Sequence, residues 1–161
     1  MEALIRPIQP SDDAEMGHIV KSVLTEFKAN KPGTAYFDES TNHLSATFTH
    51  NKAAYWVLIE DDKVIGGGGI YPTEGLPDDT CEMVKLYLSP HARNRGLGKA
   101  IIIKCFEKAI EFGYRKMYLE TMPELNQAVS LYERLGFEHQ TKALGNTGHF
   151  GCDIWMVKQL S

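Results

Sequence analysis

The chain reads as an α/β protein of the α+β kind, a mixed sheet flanked by helices in the order β-α-α-β-β-β-α-β-α-β-β. Three observations lead there. Short β-branched and aromatic runs alternate with segments whose apolar residues recur at helical spacing. Two later helical segments lie between strands, which calls for βαβ crossovers. By contrast, the runs on either side of Asp61-Asp62-Lys63 are joined by a turn short enough only for a hairpin. With 161 residues and no repeat, linker or low-complexity tract, the chain is read as one domain, 1–161. Hydrophobic residues at 43% and charged residues at 24% exclude a disordered or fibrous chain.

Leu4–Gln9 opens as a short strand whose prolines suit an edge or a strand end. Ser11-Asp12-Asp13 supplies an N-cap and first-turn acids. Met16, Ile19, Val20, Val23, Leu24 and Phe27 follow at helical spacing, predicting a helix over 11–28. Lys-Pro-Gly and Asp-Glu-Ser mark 29–42 as a loop, and a short helix is expected around 41–50. Residues 54–71 form the hairpin, 72–79 a Pro/Gly/Asp loop and 81–88 a further strand. A long amphipathic helix is expected over 98–113, a strand over 117–121, and a helix over 126–136 stopped by Gly136. Residues 137–144 and 152–160 close the chain as strands. The last is expected to be an exposed edge with which a second copy can pair as a homodimer.

Composition also limits function. A formal net charge of -4 argues against a nucleic-acid partner, which would demand an excess of Lys and Arg. No apolar run approaches the roughly 20 residues needed to cross a membrane. The first residues lack a signal peptide's basic start and apolar stretch. Cys81, Cys105 and Cys152 lie far apart without a CxxC pair, which fits reduced thiols and a cytoplasmic chain. His18, His43, His50, His91 and His139 show no paired ligand spacing, so no metal is expected.

Between strand 81–88 and helix 98–113 the chain reads Arg93-Asn94-Arg95-Gly96-Leu97-Gly98-Lys99. A helix N-terminus presents free N–H groups and the positive end of its dipole, which attract phosphates. Gly96 and Gly98 leave the backbone open to a pyrophosphate, and Arg93, Arg95 and Lys99 add charge. The loop therefore points to a phosphate-bearing ligand; a strand exit with solvated charges is the plainer reading. Other phosphate fingerprints fail on spacing. There is no GxxxxGK[ST], the third glycine of GxGxxG falls on Ile101, and Gly66–Gly69 runs into Ile70-Tyr71-Pro72 instead of a helix.

Arg93-x-x-Gly96-x-Gly98, after a strand and before a long helix, resembles the acetyl-CoA signature of the GNAT superfamily of N-acetyltransferases. Asn126-Gln127-Ala128-Val129-Ser130-Leu131-Tyr132, closing in Gly136-Phe137, resembles the superfamily's second motif, with Ala128 one place early. The element order matches as well, so the resemblance covers nearly the whole chain. It implies a mostly antiparallel, twisted central sheet of about seven strands with about four helices. The stretch 144–155 (LGNTGHFGCDIW) and the glycine run 66–69 are similar to bacterial members acting on small amino-acid-like amines. The implied activity is direct acetyl transfer, in a ternary complex, from acetyl-CoA to the primary amine of a small molecule such as an amino acid. A protein or peptide acceptor, or a non-catalytic acetyl-CoA-binding regulator, is the alternative.

The resemblance also assigns residues. Arg93, Asn94, Arg95, Gly96, Leu97, Gly98 and Lys99 would hold acetyl-CoA, and the backbone of Leu86, Tyr87 and Leu88 would face its pantetheine arm. Asn126, an N-cap by position, would touch the cofactor too. Residues 31–42 and the final hairpin would wall the acceptor. Glu82 corresponds to the catalytic carboxylate. An amine with a pKa near ~10.4 is mostly protonated at neutral pH, and a base that relieves it is worth about 10²–10⁴ in rate. Glu at ~4.3 is a weak base in water, so burial or a water relay is required; a strand-end ion pair or a substrate contact is the other reading.

Tyr132 resembles the proton donor to the departing CoA sulfur. Donation from ~10 to a thiol at ~8.5 is uphill by about 2 kcal/mol, so a hydrogen bond to the developing thiolate is its main expected role; a packed core tyrosine is the alternative. Glu120, at a strand's carboxyl end, and His149, in a turn between the last strands, are candidate substrate contacts. Capping and ordinary surface exposure explain them equally. Cys81 has no His or Asp spacing that would support an acyl-enzyme.

Overall fold

The hairpin sits where its pattern predicts, as β2 (Ala54–Glu60) and β3 (Lys63–Tyr71). The structure is a computed structural model and describes residues 2–160. Its other strands are β1 (Leu4–Pro7), β4 (Thr80–Leu88), β5 (Lys116–Thr121), β6 (Glu138–His139) and β7 (Ile154–Gln159). Its α-helices are α1 (Asp13–Glu26), α2 (Leu44–Thr47), α3 (Leu97–Glu111) and α4 (Asn126–Arg134). The strands form one seven-stranded sheet in the order β1-β2-β3-β4-β5-β7-β6. Every adjacent pair is antiparallel except β4–β5, the pair joined through α3. The mixed α/β architecture and its element order agree with the sequence.

Alternation along β2 sends Tyr55 and Val57 to one face and Trp56 and Leu58 to the other. The first pair packs with Met16, Val20 and Leu24 of α1, the second with Ile101, Ile102 and Cys105 of α3. Both faces are covered, so β2 reads Tyr-Trp-Val-Leu-Ile with no polar interruption. The glycines of β3 let the layers approach: a Cβ on Gly68 would lie 2.9 Å from both Ile101 and Leu86 side chains.

Two features of β4 shape the site. Opposite β3, Gly67 pairs with Tyr87 and Gly69 with Val84, so β4 carries one extra residue in a bulge. Lys85 takes up that residue with φ +51°, and Tyr55 donates its hydroxyl to the Lys85 carbonyl at 2.7 Å. On the other side, β4 pairs with β5 only through Thr80, Cys81 and Glu82. Past Glu82 it stays with β3 while β5 continues along β7, and the sheet splits.

Several local expectations are corrected. Ser11 is not the α1 N-cap: residues 10–12 make a 3-10 turn in which the Asp12 carboxylate accepts from the Gln9 N–H and from Arg6. Asp13 then binds Ser45 through its N–H and hydroxyl. The helix expected around 41–50 is the single turn α2, preceded by 3-10 geometry. Asn126 is the first residue of α4 rather than its N-cap, with helical φ −62° and ψ −32°, because a 3-10 turn at Pro123–Leu125 starts the helix earlier. The strand read over 137–144 shrinks to Glu138–His139; beyond it the chain leaves the sheet, and Tyr118 accepts the Leu144 N–H. The last strand is not an open edge, since Glu138–Gln140 lies along its outer side.

Candidate functional site

The split between β4 and β5 opens a cleft of about 610 Å³. Its walls are β4 from Glu82 to Leu88, the end of β5 and one face of α4. At one end lies the loop before α3. Gly96 caps that helix with φ +75°, and no side chain bonds to its first N–H groups. Among the described residues, the N–H groups of Gly96, Leu97, Gly98 and Lys99 find no acceptor in the protein. A Cβ at Gly96 would meet nothing within 4 Å, so the approach to these donors is open. This is a cradle for an anion.

The other residues singled out at this end are placed as follows. Asn94, Gly96, Leu97, Gly98 and Lys99 line the cleft, as do Leu86, Tyr87 and Leu88. Arg93 lines it too, but its guanidinium is bidentate to Glu26 and stacked over Phe27. Arg95 is turned away and paired with Glu60. Asn126 is exposed and does not line the cleft; Gln127, Ser130 and Arg134 of the same helix do.

Tyr132 is 6% exposed and packs edge-on against Phe137. Among the described residues its hydroxyl has no hydrogen-bond partner, and the residue lines the cleft. Burial pushes its pKa well above the ordinary tyrosine value, which makes it a poorer acid than in water.

At the opposite end the cleft reaches Glu82, which is 5% exposed. Cys81 and Met83 face the α3 core, so Glu82 between them points the other way. Its Oε1 accepts the Thr73 hydroxyl at 2.6 Å. Burial, aided by the charge of Glu120, raises its carboxyl to about 7 despite the opposing pull of Thr73, His149 and Lys85. Glu120 accepts the hydroxyls of Tyr118 and Thr147. His149 Nε2 lies 2.6 Å from Asp38 Oδ2, and Lys85 Nζ is 2.7 Å from the same oxygen. Burial would raise the Asp38 carboxyl, but these two partners outweigh it and hold it near about 2.

Glu82, Glu120 and His149 thus present ligand atoms within 4.8 Å of one another. A set of two carboxylates and an imidazole can hold a proton or a cation. A second, outer cleft of about 560 Å³ is lined by Glu82 and His149, together with Asp38, Thr73 and Asn146, but not by Glu120. Cys81 plays no part as a nucleophile: it is fully buried, and burial pushes its thiol up to about 12.

Residues 19–137 match the profile described as the Acetyltransferase (GNAT) family. The chain belongs to the GNAT family. As such it is an acetyl-transferring enzyme, an N-acetyltransferase. It is 36% identical over 159 residues, 98% of this chain and 95% of the other, to YjgM of Escherichia coli K12, described as an uncharacterized N-acetyltransferase. The fold is similar to that of a GNAT acetyltransferase from Staphylococcus aureus Mu50, with a TM-score of 0.86, 16% identity, and coverage of 99% of this chain and 100% of that one. It is also similar to a GNAT phosphinothricin acetyltransferase from Sinorhizobium meliloti in complex with AcCoA, with a TM-score of 0.76, 24% identity, and coverage of 100% and 90%.

In this GNAT chain the motifs marked the loop and Tyr132; Asp38 and Thr147 lay inside marked segments without being singled out, and Thr73, Lys85 and Tyr118 carried no signal. They come from separate elements, at spacings that correspond to no motif. Lys85 sat beside the marked Leu86, and in the bulge, with φ +51°, its Nζ reaches Asp38 at 2.7 Å. Among the described residues no helix is long and apolar enough to cross a membrane.

Proposed function

We propose that this enzyme transfers an acetyl group from acetyl-CoA to the primary amine of a small, amino-acid-like molecule, directly in a ternary complex. The reading is carried by one observation above all: a buried carboxyl raised to about 7, Glu82, lines both clefts.

The donor end fits a thioester cofactor bearing phosphates. Free N–H groups of residues 96–99, the glycines and Lys99 would hold the pyrophosphate, and the open side of Leu86, Tyr87 and Leu88 would receive the pantetheine. Asn94 lines the same stretch, Arg93 is within reach once freed from Glu26, and Arg95 and Asn126 stand outside it. When bound, acetyl-CoA supplies an activated acyl carbon and a thiol leaving group.

The acceptor end supplies the proton chemistry. An ammonium entering from the outer cleft meets the Glu82 carboxylate, which takes one proton from the nitrogen and leaves a nucleophilic lone pair. A base near about 7 is matched to neutral pH, half of it ionised and still able to hold a proton. Glu120 adds a second negative charge for the ammonium, and Lys85 supplies a positive charge that an acceptor carboxylate would approach. Tyr132 Oη keeps its proton and donates a hydrogen bond toward the sulfur, since burial raises its pKa.

A small acceptor is favoured by closure. The segment 29–42 is tied to 140–153 by Gly151 N–H to the Gly33 carbonyl at 2.9 Å and by His149 to Asp38. It is tied beyond β5 by Lys31 to Glu124 at 2.7 Å. These ties hold segment 29–42 beside the cleft that leads to Glu82. The test is incubation with acetyl-CoA and a panel of amino acids, other small amines and peptides, following free thiol. Thiol release that depends on a small amine is expected. Release only with peptides would overturn the small-molecule reading, and silence across the panel would overturn the transfer itself.

A further inference from the structure

Glu82 is only 5% exposed, and an acceptor bound against it would cover what remains, so a proton it takes needs a way out before the next turnover. The neighbouring group with both a free basic atom and a path to solvent is His149. Its side chain is 16% exposed, against 3% for Glu120, and it lines the outer cleft as well as the inner one.

His149 is held once through its backbone and once through its ring. The Thr147 hydroxyl oxygen accepts the His149 backbone N–H at 3.0 Å, and the Asp38 carboxylate holds Nε2 at 2.6 Å. With Nε2 engaged as a donor, Nδ1 is the nitrogen left to exchange a proton. Nδ1 lies 3.9 Å from Glu120 Oε1, and Glu82, Glu120 and the imidazole each present a polar atom within 4.8 Å of the others. A single water spans such a distance.

Asp38 is 111 residues away in sequence, on the loop held beside the site, and is held in turn by Lys85 from the β4 bulge. The charged and titratable groups facing the imidazole are therefore Asp38, Glu82 and Glu120, which favour its cation, Lys85, which opposes it, and the Tyr118 hydroxyl behind Glu120. Burial is the largest single influence and works against the cation, but the hydrogen bond and charge of Asp38 together with the charge of Glu82 outweigh it, and the pKa of His149 is raised.

We propose that His149 relays the proton from Glu82 to solvent, and that Asp38 is the positioning residue that commits Nδ1 to this task. The inference rests on the reading of Glu82 as proton acceptor. In the first step an N–H bond of the acceptor ammonium breaks and a Glu82 O–H bond forms. That O–H bond then breaks as Nδ1–H forms, directly or through one water, giving an imidazolium between Asp38 and Glu120. Water takes the Nδ1 proton, and both groups return to their starting states. No oxidant, reductant or further co-reactant is needed.

The experiment is chemical rescue of His149→Ala, measured with the amine that the wild-type enzyme acetylates. A fall in kcat of about 10²-fold is expected, with the acetyl-CoA-induced rise in Tm unchanged as the control for folding. Added imidazole should restore turnover in a saturable way, and substituted imidazoles should do so in proportion to their basicity. Asp38→Asn should lower kcat about tenfold and move the titration of the His149 ring, followed by NMR, to lower pH, as the imidazolium loses its charged partner. Wild-type kcat in His149→Ala, or a loss that no imidazole repairs, would overturn the relay while leaving acetyl transfer intact. Absence of thiol release by the wild-type enzyme with every amine would overturn both readings.

Discussion

At the loop end of the cleft, the ligand-facing groups come from consecutive residues, 93–99, and the main ones are backbone N–H groups freed by a helix start. At the Glu82 end they are side chains of Asp38, Thr73, Glu82, Lys85, Glu120, Thr147 and His149, gathered from segments up to 111 residues apart. A backbone cradle tolerates many side chains and binds whatever carries the phosphates. A side-chain cluster depends on each member's burial and partners, and there the acceptor is selected and the proton handled. The difference predicts that the loop end governs donor affinity and the Glu82 end governs turnover.

The largest expected effect is at Glu82. Glu82→Gln should lower kcat by about 10²–10⁴-fold while acetyl-CoA binding, read by calorimetry, stays near wild type. The same change should stabilise the protein in alkaline solution. The native pKa of about 7 stands above the usual 4.5, so Glu82's favourable contribution is full below pH 4.5 and is lost as pH rises through 7. At pH 8 the Gln variant should therefore gain up to about 3 kcal/mol, visible as a higher Tm, and at pH 4 it should match wild type. An equal loss of donor affinity in this variant would erase the distinction between the two ends.

Gly98→Val tests the opposite end. A Cβ there has its nearest neighbour, Leu131, at 3.8 Å, so the fold is spared, yet the side chain stands before the free N–H groups. Acetyl-CoA affinity should fall about 10–100-fold, as expected for one lost charge-assisted hydrogen bond of ~1.5–3 kcal/mol, with an unaltered Tm. Tyr132→Phe should reduce kcat about tenfold through one lost hydrogen bond while donor affinity stays near wild type. Unchanged turnover would make Tyr132 a packing residue against Phe137. The smallest effect is expected at Thr73→Val. Removing the hydroxyl that stabilises the Glu82 carboxylate should move the acidic limb of the pH profile up by about one unit, leaving the maximal rate nearly intact.

What the sequence revealed follows the same division. The loop was legible because its chemistry is contiguous: glycines, cations and a helix start fall within seven residues. Tyr132 was legible through its motif. Most strands were legible because β-branched and aromatic runs are bounded by turn residues. The strand read over 137–144 was not, because its alternation resembles a strand while tertiary contacts such as Tyr118 with Leu144 draw it over the site. The split between β4 and β5 has no local signature, since it arises from a bulge and from the choice of β7 as the partner of β5. Arg93 and Arg95 show the limit of reading charge from sequence: both looked free, and both are paired with glutamates from other elements. Asp38 lay in a loop marked only by turn residues, and its role depends on contacts with Lys85 and His149.

The central claim is that Glu82, buried and raised to about 7, is the proton acceptor. Its most direct test is the pH dependence of kcat/KM for the acceptor amine in wild type and in Glu82→Gln. A wild-type acidic limb with an apparent pKa near 7 that disappears in the Gln variant is the predicted result. The same limb persisting in that variant would contradict the account.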